Sequence, residues 1–425
     1  MAHIIEHAVG IYIVLLGIAC LIGVVVKRLT HLPYTIALTL VGLGIALFKL
    51  GPDIASAGFS RELIFFVLLP PLLFQGALHM QLDRLARHAL PIAVFATVGV
   101  IVSTLLIGGL MFWTGLLDSL IIAMLFGALI CTTDPISVLA IFRQCNTQAD
   151  LKYLVEGESL FNDGTGVVVF GIILSMIVEG AGFSFPGAAV SFFKVSLGGT
   201  VVGLALGGAA YLILRGLNDH LLENAICLLV CYGSFWLAEH YHLSGVIATV
   251  CSGLLLGNYG RTLAMSPRTT ETVETFFESV DFLINSLLFI LIGLELQAIG
   301  GEGLGRVFGA VLATFVIVLA VRAVVVYPLF FATRRRNGSY PKSWSHVLMW
   351  GGLRGSIPIA LLVGLPAHPQ IDPYRDKLLA IGFGVVCLSL IIQGLTMKPL
   401  IVGLGLSQAV EPAEQDPAHH QEGLT

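Results

Sequence analysis

Apolar residues run along this chain in long blocks separated by short polar loops. The blocks show neither the strict alternation of a half-buried strand nor the single apolar stripe of a surface helix. Taking about 20 apolar residues per bilayer crossing, they predict thirteen helices, near residues 8–27, 33–50, 62–81, 88–113, 117–142, 153–179, 187–215, 221–239, 243–257, 275–299, 305–333, 344–365 and 376–403. The ninth is short. The expected fold class is therefore an all-α polytopic membrane protein, with one transmembrane domain over 1–404 and a short polar cytoplasmic tail over 405–425.

The blocks also repeat. Spans one to three return as spans eight to ten about 212 residues later, and span five returns as span twelve about 223 residues later. A first repeat over 8–180 is thus replayed over 221–403, with a linker helix at 187–215 between them. Six spans plus a linker bring the chain back on the opposite face, so the two repeats are expected to be inverted, an arrangement of secondary transporters. Both members of one repeated pair are interrupted, at Thr132-Thr133-Asp134-Pro135 in span five and at Gly351-Gly352-Leu353-Arg354-Gly355-Ser356-Ile357-Pro358 in span twelve. Proline removes a backbone donor and glycine loosens the helix. Breaks of this kind aim helix-end partial charges at the membrane centre.

Composition and charge agree with this picture. Hydrophobic residues make up 56% of the chain and charged residues only 11%, where a soluble chain would carry about 25% charge. Fourteen Lys and Arg fall in the odd-numbered loops or at Lys398, and five in the even-numbered ones. The positive-inside bias then places the N-terminus outside and the C-terminus in the cytoplasm, as an odd number of spans requires. The first apolar run lacks a basic leader and is followed by Lys27 and Arg28 rather than a small-residue cleavage site, so the first span is expected to stay. A net charge of −4 gives no reason to expect nucleic acid. The seven cysteines are scattered without CxxC spacing and read as small buried hydrophobes.

Charges inside the spans narrow the function. Intramembrane ionisable groups cost about 2.5 to 3.5 kcal/mol each on insertion scales and persist where something charged binds or passes. Asp134 adjoins one break, Arg354 lies within the other, and Glu158 and Asp163 occupy the span after the first; Arg322 is a fifth. Each proline read alone is only a kink that neighbouring helices tolerate. Charges concentrated at equivalent points of two repeats point instead to ion movement.

Leu69-Pro70-Pro71-Leu72-Leu73-Phe74, Thr133-Asp134-Pro135, Gly157-Glu158-Ser159-Leu160-Phe161-Asn162-Asp163 and Gly351-Gly352-Leu353-Arg354-Gly355 resemble, in order, the signatures of sodium/proton antiporters of the first monovalent cation:proton antiporter family, the NhaP-type exchangers and their animal relatives. The resemblance implies a homodimer of thirteen-helix subunits with crossed broken helices, in the cell (inner) membrane. It also implies exchange of Na+, or K+ or Li+, for H+, with no cofactor. Residue by residue it makes Asp163 the ligand of the transported cation and of the proton, with Asn162 beside it. Thr133, Asp134 and Ser159 help build the site, and Glu158 pairs with Arg354 as a buried ion pair. Where the family commonly has an acidic residue after the two prolines, this chain has Gln75, a possible residue of the cation path. Asn162 stands where electrogenic relatives carry another aspartate, which implies a one-to-one exchange.

The residue types suit such chemistry. A carboxylate is a hard oxygen ligand that also binds a proton, and Thr, Ser and freed carbonyls add neutral oxygens. Three other readings compete. A cation channel would also place carboxylates at mid-membrane, but inverted repeats favour alternating access. A cation-coupled carrier of a small organic solute could share the fold. An intramembrane hydrolase using Ser159 lacks a histidine in the central spans to activate the serine. No Walker motif supports ATP-driven pumping. Gly199, Gly203 and Gly207 form a GxxxGxxxG stripe that reads as close packing within the chain. His240 and His242, beside Glu239, read as solvated interface residues.

Overall fold

In the computed structural model, which describes residues 2–29, 32–48, 63–180, 184–217, 219–294, 304–337 and 340–407, every regular element is helical. Thirteen helical stretches answer the thirteen predicted spans. They are α1 (Ala2–Leu29), α2 (Tyr34–Leu47), α3 (Leu63–His79), α4 (Ala89–Trp113), α5, α6 (Ala149–Glu179), α7 (Phe185–Leu214), α8 (His220–His240), α9 (beginning Gly245–Leu255), α10 (Pro267–Leu294), α11 (Leu304–Asn337), α12 and α13 (Arg375–Leu388, continuing to Gly403). Two are discontinuous. The fifth is split into α5a (Leu120–Ile130) and α5b (Ile136–Gln144), and the twelfth into α12a (Ser343–Trp350) and α12b (Ser356–Val363). Among the described residues, eight helices are long and apolar enough to cross a bilayer as single rods. The predicted tail lies, from residue 408 on, outside the described residues.

Local sequence explains the ends. Asp219 caps α8 by accepting from the Leu221 and Leu222 amides, and Ser244 caps α9 by accepting from Ile247. Gly180, at φ +66°, ends α6 in the left-handed region where a side chain would be strained. The break in α12 is narrower than the sequence implied. Residues 351–355 are non-helical, whereas Ser356, Ile357 and Pro358 already form the first turn of α12b. Proline is tolerated there because a first-turn amide has no helical acceptor to lose.

Packing divides the helices into two groups. In one, α4, α6, α11 and α13 surround the crossed pair α5 and α12; in the other, α2, α3 and α8 gather around α10, and α9 packs on α3 and α8. The glycine stripe belongs to the intramolecular packing that the sequence suggested. A Cβ at Gly199 would meet the Ser244 carbonyl oxygen at 2.6 Å, one at Gly203 the backbone of Ala248, and one at Gly207 the Ser252 Cα at 3.1 Å. All three press α7 against α9. His240 stacks on Trp236 with ring centroids 5.3 Å apart, and Glu239 accepts from the Gly245 amide at 3.0 Å, so this corner serves the turn into α9.

Candidate functional site

The two helix breaks meet directly. The Asp134 amide donates to the Leu353 carbonyl oxygen at 2.8 Å, which joins break to break by the backbone. Gly355 makes this approach possible, since a Cβ there would overlap the Asp134 side chain.

Each half-helix end then acquires a partner. The Cys131 and Thr132 carbonyls at the end of α5a accept from Arg354 Nη1 at 2.6 and 2.9 Å. At the end of α12a, Leu348 O accepts from Arg322 Nη2 at 3.0 Å and Trp350 O from Gln393 Nε2 at 2.7 Å. Cations at C-termini offset the negative end of the helix dipole. At the start of α5b, Asp134 Oδ1 accepts from the Ile136 amide at 3.2 Å, placing an anion on a positive helix end. Ser389, on the π turn Ser389–Gln393 of α13, accepts from the Arg354 amide and donates to Gln393. Buried non-helical backbone is thereby satisfied by protein rather than lipid.

The helix α6 runs past the crossing and supplies its polar face. Ser159 and Asp163 lie one turn apart, as do Glu158 and Asn162, and all four are buried. Asn162 uses both halves of its amide on one residue: Nδ2 donates to Thr133 Oγ1 at 2.7 Å, and Oδ1 accepts from the Thr133 amide at 3.3 Å. Ser159 Oγ lies 3.1 Å from the same hydroxyl. Thr133, Ser159 and Asn162 therefore fasten the first break to α6, and Asn162 adds no charge.

The expected Glu158–Arg354 pair is not the arrangement found. Glu158 pairs with Arg322 of α11, with Oε1 and Nη1 2.5 Å apart, while Arg354 is engaged by the α5a carbonyls. Gly352 opens the way, because a Cβ there would sit 2.7 Å from Arg322 Nε. In the sequence Arg322 is visible as an intramembrane charge, but nothing there names its partner.

Asp163 and Asp134 face a small cavity of about 20 Å³ at the crossing, lined also by Thr132, Thr133, Gly355 and Ser356. That volume matches one water-sized particle. Among the described residues, Thr132 Oγ1 and Asp134 Oδ2 are buried there without a hydrogen-bond partner. Two carboxylates and a free hydroxyl make an all-oxygen donor set, which suits a hard monovalent cation. A larger cavity of about 430 Å³ reaches the same two carboxylates from outside, between a wall of α5b, α6 and α12b and a wall of α3 and α10. Gln75, the expected path residue, lies on the second wall with its Oε1 buried and unpartnered. So do Asp281 and Asn285, which the sequence reading passed over; their visible signal was the run Glu274, Glu278, Asp281, Asn285 at helical spacing.

Comparison with known proteins agrees with this architecture. The profile described as "Sodium/hydrogen exchanger, transmembrane" matches residues 14–403. The Na+/H+ antiporter NhaP of Pseudomonas aeruginosa is 39% identical over 360 residues, covering 83% of this chain and 84% of the relative. The Na+/H+ antiporter NhaH of Halobacillus dabanensis is 37% identical over 411 residues, covering 94% and 99%. The solved structure of the sodium proton antiporter MjNhaP1 from Methanocaldococcus jannaschii shares the fold, with a TM-score of 0.76 over 94% of this chain and 99% of that one at 21% identity. The profile match runs from the first helix to the last and takes in both helix breaks, and on that ground the chain belongs to the transmembrane sodium/hydrogen exchanger family.

Proposed function

We propose that this protein exchanges Na+ for H+ across the cell membrane by alternating access, one cation for one proton, with Asp163 as the shared site. The reading rests on one observation above the others, the cavity of about 20 Å³ in which Asp163 and Asp134 meet the unpartnered Thr132 hydroxyl at the crossing of two helix breaks. K+ and Li+ are the competing cations, and transport assays across the monovalent series decide among them.

The mechanism follows from the cost of burying charge. An empty, ionised Asp163 would leave an unpaired anion in a water-poor site, which is unfavourable by several kcal/mol. Occupied by a cation or by a proton it is neutral. Movement of the crossed-helix group against the α10 group then favours the loaded forms, and exchange becomes obligatory. Asp134 differs from Asp163 in sitting on the α5b N-terminus, where the Ile136 amide and the helix dipole favour its charge, whereas Asp163 lies mid-helix in α6; Asn162 is consumed by Thr133 and titrates nothing. That division leaves one exchanging carboxylate and supports the one-to-one ratio.

The same reading takes in the transmembrane domain over 1–404, the repeats 8–180 and 221–403 around the linker 187–215, and the homodimer. Its orientation, N-terminus outside, rests on the Lys and Arg distribution. Purified protein in proteoliposomes with an imposed pH gradient tests the function: Na+ should dissipate the gradient, and an unchanged gradient across all monovalent cations would reject it.

A further inference from the structure

The wall of the large cavity opposite Asp163 carries a polar cluster that the exchange site does not use. On α10, Asn285 Nδ2 donates to Asp281 Oδ1 at 2.9 Å. A carboxylate only accepts hydrogen bonds, so the amide must turn its nitrogen to Asp281 and its carbonyl oxygen away. That oxygen is buried without a partner on a residue only 5% exposed. From α3, Gln75 Oε1 is likewise buried and unpartnered, and all three side chains line the cavity of about 430 Å³.

A residue kept only to satisfy Asp281 would not need a second polar atom left unpaired in the interior, where such atoms are normally bonded. A carboxylate and two unpartnered carbonyl oxygens lining one cavity are instead the oxygen types that suit a hard cation. Asp281 also lies close enough to Asp134 for the two charges to interact. An ion held on the α10 wall therefore shares a cavity with the carboxylates of the crossing.

We propose that Asp281, Asn285 and Gln75 form a transit station where the transported cation exchanges part of its water shell for protein oxygens before reaching Asp163. The inference rests on the exchanger reading given above. The station stays with the α3 and α10 wall, whereas Asp163 belongs to the crossed-helix group. It therefore sets the affinity for cation arriving through this cavity, while the exchanged proton binds at Asp163 and not at the station.

Asp281→Asn tests this in full-length protein reconstituted in one orientation, with Na+ as the probe. The substitution keeps size and a hydrogen-bonding partner for Asn285 while removing the charge. The half-saturating Na+ concentration should rise about tenfold, the scale of one lost charge interaction in a partly screened site. The maximal rate should stay within about twofold, as expected when only cation affinity is weakened. The rise should appear only when Na+ is supplied from the side onto which this cavity opens. Asn285→Ala, which leaves the Asp281 charge in place, should raise half-saturation on that same side by a smaller factor, and it serves if the first variant fails to fold. Unchanged half-saturation in either folded variant, or an equal rise from both sides, would overturn the station while leaving exchange by the wild type intact. Absence of cation-dependent proton flux in the wild type would instead overturn the exchanger reading beneath it.

Discussion

Replacing Arg322 should be far more damaging to the fold than its place in one long helix implies. Its guanidinium pairs with Glu158 at 2.5 Å, and the two side chains are 10% and 3% exposed, so neither charge has water to fall back on. Removing one member of a buried pair strands the other at about 3 to 5 kcal/mol, a large part of a total stability of about 5 to 15 kcal/mol. Arg322→Gln also loses the bond to the Leu348 carbonyl at the end of α12a. Glu158→Gln should destabilise by a similar amount, while the double variant should lose less than the sum, with a coupling of about 2 kcal/mol. Titrating purified protein in mixed micelles with a denaturing detergent and following the folded fraction measures all three. The control is Glu158→Gln with Arg354→Gln, where the guanidinium binds carbonyls and the coupling should be smaller. Additive losses for Glu158 and Arg322, or equal coupling to both arginines, would refute the assignment.

Three further outcomes follow from the same geometry. With Asn162 neutral and one exchanging carboxylate, clamping the membrane potential should leave the exchange rate nearly unchanged; a steep voltage dependence would reject the one-to-one ratio. Gly203→Leu places a side chain into the Ala248 backbone, and should destabilise the α7–α9 contact by about 1 to 3 kcal/mol, visible as a lower midpoint in the same detergent titration; an unchanged midpoint would mean the helices separate freely. Gln75→Glu adds a charge to the cavity wall and should strengthen apparent Na+ affinity and shift the pH profile of exchange towards higher pH; unaltered profiles in a stable variant would remove Gln75 from the path.

The helices were legible because lipid demands long apolar segments, and composition reports such segments without reference to packing. The breaks at Asp134 and Arg354 were legible for a related reason, since proline, glycine and charge have few other uses at mid-membrane. Side-chain partners were not. Glu158 had two arginines within reach of the same crossing, and only the folded backbone shows that Arg354 is taken by the α5a carbonyls while Gly352 admits Arg322. Asp281 escaped notice because the apolar pattern began span ten near residue 275, leaving its acidic residues at an apparent boundary. In the structure α10 starts at Pro267, so Asp281 sits well within the helix.

Asp163→Asn gives the most direct test of the central claim. It preserves the size of the side chain in a buried position and removes the one group assigned to bind both cation and proton. Reconstituted in proteoliposomes with an imposed pH gradient, the variant should be folded at wild-type yield and show no Na+-dependent proton flux at any pH. Appreciable residual exchange would contradict the assignment and move the shared site to Asp134.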